Sequence, residues 1–228
     1  MDNLIVNMID VGYTGTIDPN WLYSDFRHSV HKLISFNPIY DNDKPLHQHH
    51  DHYKMAISDI SSSKTQFNIY NKTRQSSLFA ANPVEIPSAI LQSTILVESR
   101  RLDSFNIDDF NFLKVDAQGS DLSVIKSLST HIQHIFGIQV EVFFKQLYLG
   151  APTLEEIHKH LCSHDFYFFK DVHKLDPRFG DYVYINHNAP QNYQNLIKEV
   201  YKYANQKNKK SQEEVRALYS KEKLEKSM

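Results

Sequence analysis

Polar residues able to do chemistry stand where short apolar runs end. Asp10-Val11-Gly12-Tyr13-Thr14-Gly15 ends the run 4–9, and Asn37 follows the run 32–36. Asp116-Ala117-Gln118-Gly119 follows 112–115, and Glu141 lies within the run 136–142. In an open parallel sheet, ligands bind beyond the carboxyl ends of strands, where strand order reverses. An acid followed by a glycine turn after the first strand suits a nucleoside-type cofactor. Glycine lets backbone approach a ligand closely, and the acid can hold an amine or a hydroxyl. The glycine spacing does not follow Gly-x-Gly-x-x-Gly, which argues against an NAD-dependent oxidoreductase.

Those residues need an α/β scaffold, and the pattern supplies one. Apolar runs at 4–9, 32–36, 94–98, 112–116, 136–142, 166–169 and 182–185 read as strands. Residues 55–57 and 66–70 are shorter strand candidates, and Gly180-Asp181 reads as the turn joining the last two strands. A helix is expected from Pro19 to about Arg27. Leu122, Ile125 and Leu128 recur at helical spacing, and so do Leu154, Ile157 and Leu161. Thr153 with Glu156 three residues on is a capping-box signature for the second of these. Residues 40–53 read as a loop or weak helix, and 71–93 as irregular. Strand alternating with helix predicts an open α/β sheet. Residues 1–187 form that domain, and 188–228 form a basic helical tail. In the tail Tyr193, Ile197, Val200 and Ala204 share one face, and Ser211 with Glu214 caps a second helix carrying Val215, Leu218 and Tyr219.

Composition narrows the function class. Hydrophobic residues are 41% and charged residues 23% of 228, the balance of a globular chain with a sizeable core. Net charge is −2, yet residues 188–228 hold nine Lys/Arg against five Asp/Glu, leaving the body acidic. An acidic body is a poor nucleic-acid binder. The tail is a solvated helical surface or, through its apolar stripe, a contact for a protein partner. No apolar stretch reaches the ~20 residues that span a bilayer. The single Cys162 excludes an internal disulfide and a Cys-based zinc site, and fits a reducing compartment. Residues 1–11 carry no basic-then-apolar leader, so the expected location is cytoplasmic.

Several motifs occur in an order that resembles the FkbM-type methyltransferases, S-adenosylmethionine enzymes of class I. Leu102-Asp103-Ser104-Phe105 is similar to a Leu-Asp-x-Phe segment. Residues 112–122, FLKVDAQGSDL, resemble the family's Lys-x-Asp-x-(Glu/Gln)-Gly-x-(Glu/Asp)-Leu block. Val140-Glu141-Val142, Leu147-Tyr148-Leu149-Gly150-Ala151-Pro152 and residues 161–166 follow in family order. Ile9-Asp10-Val11-Gly12 resembles the opening motif, Ser76-Ser77-Leu78 a middle segment, and Gly180-Asp181-Tyr182-Val183-Tyr184 the closing strand. The resemblance covers most of residues 1–187 and none of the tail. It implies a Rossmann-like class I methyltransferase sheet with a helical C-terminal extension.

By position, the resemblance implies S-adenosyl-L-methionine bound by Asp10, Gly12, Thr14, Gly15, Asn37, Ser58, Asp59 and Gln118. Asn37 stands where the family has an acid for the ribose hydroxyls, and Tyr13 where it has a small residue. The implied reaction is O-methylation of a hydroxyl on a sugar, glycan or similar natural product. Asp116 and Glu141 would flank the methyl position as candidate proton acceptors. Their competing structural roles are a helix cap for Asp116 and ion pairing with Lys145 or Lys114 for Glu141. The chain starts almost at its first strand, so an N-terminal substrate cover that some relatives carry is expected to be missing. The alternative of another class is a catalytically inactive relative serving as a binding or assembly module. A first-turn pocket filled by Tyr13 would favour that module.

The remaining clusters suggest less. His47, His49, His50, Asp51 and His52 are metal-ligand types, but their spacing follows no known site, so a solvated polar loop and no metal are expected. His28 and His31 lack a third ligand, and His158 and His160 cannot share a helix face. Ser77 and Ser120 lack a His/Asp arrangement for nucleophilic catalysis. Cys162 is expected to be a buried structural thiol.

Overall fold

A computed structural model describes residues 4–16, 19–22, 24, 26, 29–40, 49–172 and 176–202. In chain order the elements are β1 (Val6–Val11), α1 (Pro19–Leu22), β2 (Val30–Phe36), β3 (His50–Tyr53), β4 (Ala56–Ile57), β5 (Ser62–Tyr70) and β6 (Leu91–Arg100). There follow β7 (Phe112–Val115), α2 (Asp121–Lys126), β8 (Gly137–Phe143), α3 (Leu154–Cys162), β9 (Phe166–Asp171), β10 (Phe179–Asn186) and α4 (Gln191–Tyr201).

Seven strands form one sheet in the order β3-β2-β1-β7-β8-β10-β9, and β4-β6-β5 form a smaller one. From β3 to β8 every pair is parallel, while β10 runs antiparallel to both its neighbours. The chain builds outward from β1 on one side and restarts at β7 on the other. Strand order therefore reverses between β1 and β7, and the crevice beyond their carboxyl ends is where such sheets bind ligands. The architecture is the Rossmann-like α/β sheet expected.

The central strands are buried on both faces, as parallel strands are. Every position of β1 and β8 is buried. Alternate residues feed two cores. Ile9, Leu113, Ile138 and Val140 pack beneath α2 and α3. Met8, Phe112, Val183 and Ile185 pack on the other face with Trp21 and α4. Trp21 Nε1 donates to Tyr201 Oη at 2.9 Å, and Tyr201 Oη donates to Gln139 Oε1 at 2.7 Å, pinning α1 and α4 to β8. The capping box of α3 forms in both directions. Glu156 N donates to Thr153 Oγ1, and Thr153 N donates to Glu156 Oε2.

Local expectations fail where tertiary pairing outweighs local pattern. Residues 50–53 form an edge strand rather than a loop. His50 and His52, two apart, share one face and meet Ser35 Oγ at 2.8 Å each. That contact and the Tyr13 ring, 5.2 Å from His50, take His50 out of water. Gly180 and Asp181 lie inside β10, paired with Val142 and Glu141, so they are not the turn. Cys162 ends α3 on its outer side and is exposed. The α4 face with Ile197 and Val200 is buried on the sheet, and Tyr193 packs on Phe136 at 4.8 Å, so this stripe is not a free surface. Arg27, His28, His47 and residues 203–228, with Ala204 and the Ser211–Glu214 cap, lie outside the described residues. No helix among the described residues is long and apolar enough to cross a membrane.

Candidate active site

The carboxyl ends of β1 and β7 open into a cavity of about 940 Å³, within the range of small-molecule sites. Gly12, Thr14, Asn37, Asp116, Gln118 and Glu141 line it, against an apolar wall that includes Phe36, Ile57 and Phe67. Asp10, Gly15, Ser58 and Asp59 are not among the lining residues. Asp10 is buried within β1, where Lys114 Nζ donates to Oδ1 at 3.0 Å. The Tyr40 hydroxyl lies on Gly15, 2.2 Å from where a Cβ would stand. Ser58 and Asp59 tie their turn to α2 through Ser123, whose hydroxyl is 3.2 Å from Ser58 Oγ and donates to Asp59 Oδ1. Gly12, at φ +88°, lines the cavity and also lets the strands pack. A Cβ there would sit 1.9 Å from the Asp116 carbonyl oxygen, so only glycine lets the two strand ends close.

The two candidate carboxyl groups meet through one amide. Gln118 Nε2 donates to Asp116 Oδ1 at 2.7 Å and to Glu141 Oε2 at 2.9 Å. Neither competing structural role is the observed one. Asp121, not Asp116, holds the turn before α2, accepting from Ala117 N and Gly119 N at 2.9 Å each. Glu141 is bridged to Gln118, while Lys114 reaches Asp10. Gln118 itself has φ +50°, rare for a residue with a side chain. Ser77 Oγ holds its carbonyl at 2.6 Å, and Tyr148 Oη donates to its Oε1 at 2.7 Å.

Burial pushes the Glu141 carboxyl well above its ordinary 4.5, and the charges of Asp116, Asp121 and Asp181 add to the rise while Lys114 opposes it. Asp121 is raised to about 7, chiefly by burial, against the backbone N–H donors of Ala117, Gly119 and Asp121 itself. An acid whose folded value lies above its unfolded value binds more protons when folded, so its contribution falls as pH rises. The Glu141 contribution is complete below about pH 4.5 and is lost progressively as pH climbs toward its raised folded value. Glu141→Gln is therefore expected to match the wild type near pH 4.5 and to melt above it by a margin that widens toward pH 8. Calorimetric Tm values across that range check this; a margin independent of pH would refute the assignment of a neutral Glu141.

A nucleoside cofactor fits these residues. Ser120 lines the cavity, and its buried hydroxyl has no hydrogen-bond partner among the described residues; the same holds for Oε1 of Gln75, which also lines it. Two orphaned polar atoms around one cavity match a ligand that carries hydroxyl and amino groups. Tyr13 does not fill the site. Its ring is buried away from the cavity between Tyr40, His50 and His52, and burial, with Asp10 and Tyr40 adding, raises its hydroxyl above the usual tyrosine range. Asn37 faces the cavity with its amide engaged: Nδ2 donates to the Tyr13 carbonyl at 2.8 Å, and Oδ1 accepts from Ile39 N at 3.0 Å. A carboxylate could not make the first of these bonds. Among the described residues no group of three or more His, Cys, Asp or Glu side chains is placed to hold a metal ion.

Tyr148, Asp121 and Gln75 line this cavity or brace its turn, and reading the residues for chemistry passed them over. Tyr148 and Asp121 stood inside motifs that carried the resemblance, which was their only signal. Gln75 had none, because it arrives on a long irregular connection.

Comparison with known proteins agrees with this geometry. The crystal structure of methyltransferase FkbM from Methylobacillus flagellatus KT shares the fold, with TM-score 0.50 at 15% identity, covering 79% of this chain and 43% of that one. The chain thus spans less than half the length of that relative. No curated protein matches it. The methyltransferase FkbM domain matches residues 11–168, more than half of the chain, and the chain belongs to the FkbM methyltransferase domain family.

Proposed function

We propose that this protein transfers a methyl group from S-adenosylmethionine to a hydroxyl of a sugar, glycan or similar natural-product acceptor. The observation that carries the reading is the pair Asp116 and Glu141, joined by Gln118 on the floor of the cavity at the switch point. S-adenosylmethionine supplies the activated methyl carbon. The protein aligns the acceptor and takes its proton. Asp116, which lines the cavity and shares Gln118 with Glu141, is assigned as the acceptor of that proton. Gln118 keeps the two groups in register, and the apolar wall excludes water from the reacting atoms. The acceptor class follows from the family resemblance, and the cytoplasmic location from the lone cysteine.

A second reading keeps the fold as a binding or assembly module. Asn37 favours it, since its amide is engaged by backbone on both sides. One experiment separates the two: thermal unfolding with S-adenosylhomocysteine, with NADH as the control. At a hundred times its Kd a ligand stabilises by about 2.7 kcal/mol, worth roughly 5–10 °C for a chain of this size. A shift with S-adenosylhomocysteine alone is expected. No shift at millimolar ligand would leave the module reading in its place.

A further inference from the structure

We propose that Tyr148 is a positioning residue for the two carboxyl groups: by donating to Gln118 Oε1 it fixes the Gln118 amide so that Nε2 faces both Asp116 and Glu141. The distances form an unbroken chain, 2.7 Å from Tyr148 Oη to Gln118 Oε1, then 2.7 and 2.9 Å from Nε2 to the two carboxyl oxygens. An amide group can occupy its place either way round. With the oxygen inward it would confront carboxyl oxygens; with the nitrogen inward both its hydrogens are used. Tyr148 favours the second, because its single hydroxyl hydrogen then has Oε1 at 2.7 Å as acceptor, nearer than the Gln75 carbonyl at 3.0 Å. Its ring is buried and packs 5.7 Å from Phe143, which holds the hydroxyl oxygen beside Gln118. Its other neighbour is the Gln75 carbonyl at 3.0 Å, on the connection that crosses the cavity. The strained backbone of Gln118 fits such a role, for residues held at φ > 0 concentrate at functional sites.

The charged and titratable groups around this unit come from one turn and four elements. Asp116 faces it from the turn before α2 and Asp121 from the start of α2, with Lys114 from β7, Asp181 from β10 and Tyr70 from β5. The donor from Gln118 favours the ionised form of each carboxyl group it touches. Removing the Tyr148 hydroxyl releases the amide, so Glu141 should ionise at higher pH.

The role in methyl transfer rests on the proposed function, but the test does not. It follows carbon-13 NMR titration of Asp and Glu carboxyl groups in the ligand-free protein, with Asp116→Asn and Glu141→Gln as assignments. In Tyr148→Phe the Glu141 midpoint is expected to rise by about one pH unit. In a Gln118→Leu background the same change is expected to add nothing. An unchanged midpoint with only a lower Tm would overturn the proposal, as would a shift that persists without Gln118. Should Tyr148→Phe fail to fold, the wild type still decides. The Gln118 side-chain NH₂ signals, identified by their loss in Gln118→Leu, are expected to move with the carboxyl titration. Signals that ignore pH would overturn it. Failure of S-adenosylhomocysteine to bind would leave these outcomes readable.

Discussion

Asp116→Asn is expected to lower methyl transfer by about 10²–10⁴-fold while leaving stabilisation by S-adenosylhomocysteine intact. The asparagine keeps an oxygen for Gln118 Nε2, which bonds Asp116 Oδ1 at 2.7 Å, so the turn at 116–119 should hold its shape. What disappears is the basic site for the acceptor proton. Glu141→Gln provides the contrast. Its carboxyl is already pushed toward the neutral form by burial and three neighbouring acids, so replacing it with a neutral amide should cost less than about tenfold. The measurement is S-adenosylhomocysteine formation with any hydroxyl acceptor that the wild type turns over. If Glu141→Gln collapses activity and Asp116→Asn does not, the two roles are exchanged. Equal small losses would remove general-base catalysis by either residue from the mechanism.

Gly12→Ala should be among the most damaging single substitutions in the sheet. The added methyl would stand 1.9 Å from the Asp116 carbonyl oxygen and 2.7 Å from its carbonyl carbon, both backbone atoms that cannot swing aside. Relief requires parting β1 from β7 at the switch point, where Asp116 N donates to Val11 O at 2.9 Å. A loss of about 3 kcal/mol or more is expected, or roughly 6–12 °C in Tm. Gly150→Ala is the control. It shares a positive φ, +79°, but its nearest neighbour is Phe79 at 4.0 Å. It should show only the left-handed penalty of about 1–2 kcal/mol. Similar losses in both variants, read by calorimetry, would mean that backbone conformation rather than strand contact makes Gly12 necessary.

Gly12 also shows how a residue picked out for one reason carries a second one. A glycine after an acid at a strand end looks like room for a ligand, and besides lining the cavity it makes room for the neighbouring strand. The sequence pattern marks positive φ and small volume; it does not mark which backbone approaches. Asp10 is similar. An acid at a strand end looks available, but its register opposite Lys114 turns it into an internal ion pair.

By itself the sequence determined the strand runs of the large sheet except its edge strand, the α3 capping box, and the order of motifs that places the chain in its family. These are local properties, written in period, turn chemistry and residue type over a few positions, and so they survive without knowledge of the rest. Tertiary structure alone decided which acid is bridged, which is capped and which is buried in a pair. Gln118 joins residues 116 and 141, and Tyr148 and Ser77 reach it from 30 and 41 residues away. It also turned a histidine-rich stretch into an edge strand, because β2 offered an open ladder and Ser35 a shared partner. Such contacts depend on sheet order and register, which arise from the packing of the whole chain and leave no trace at any one position.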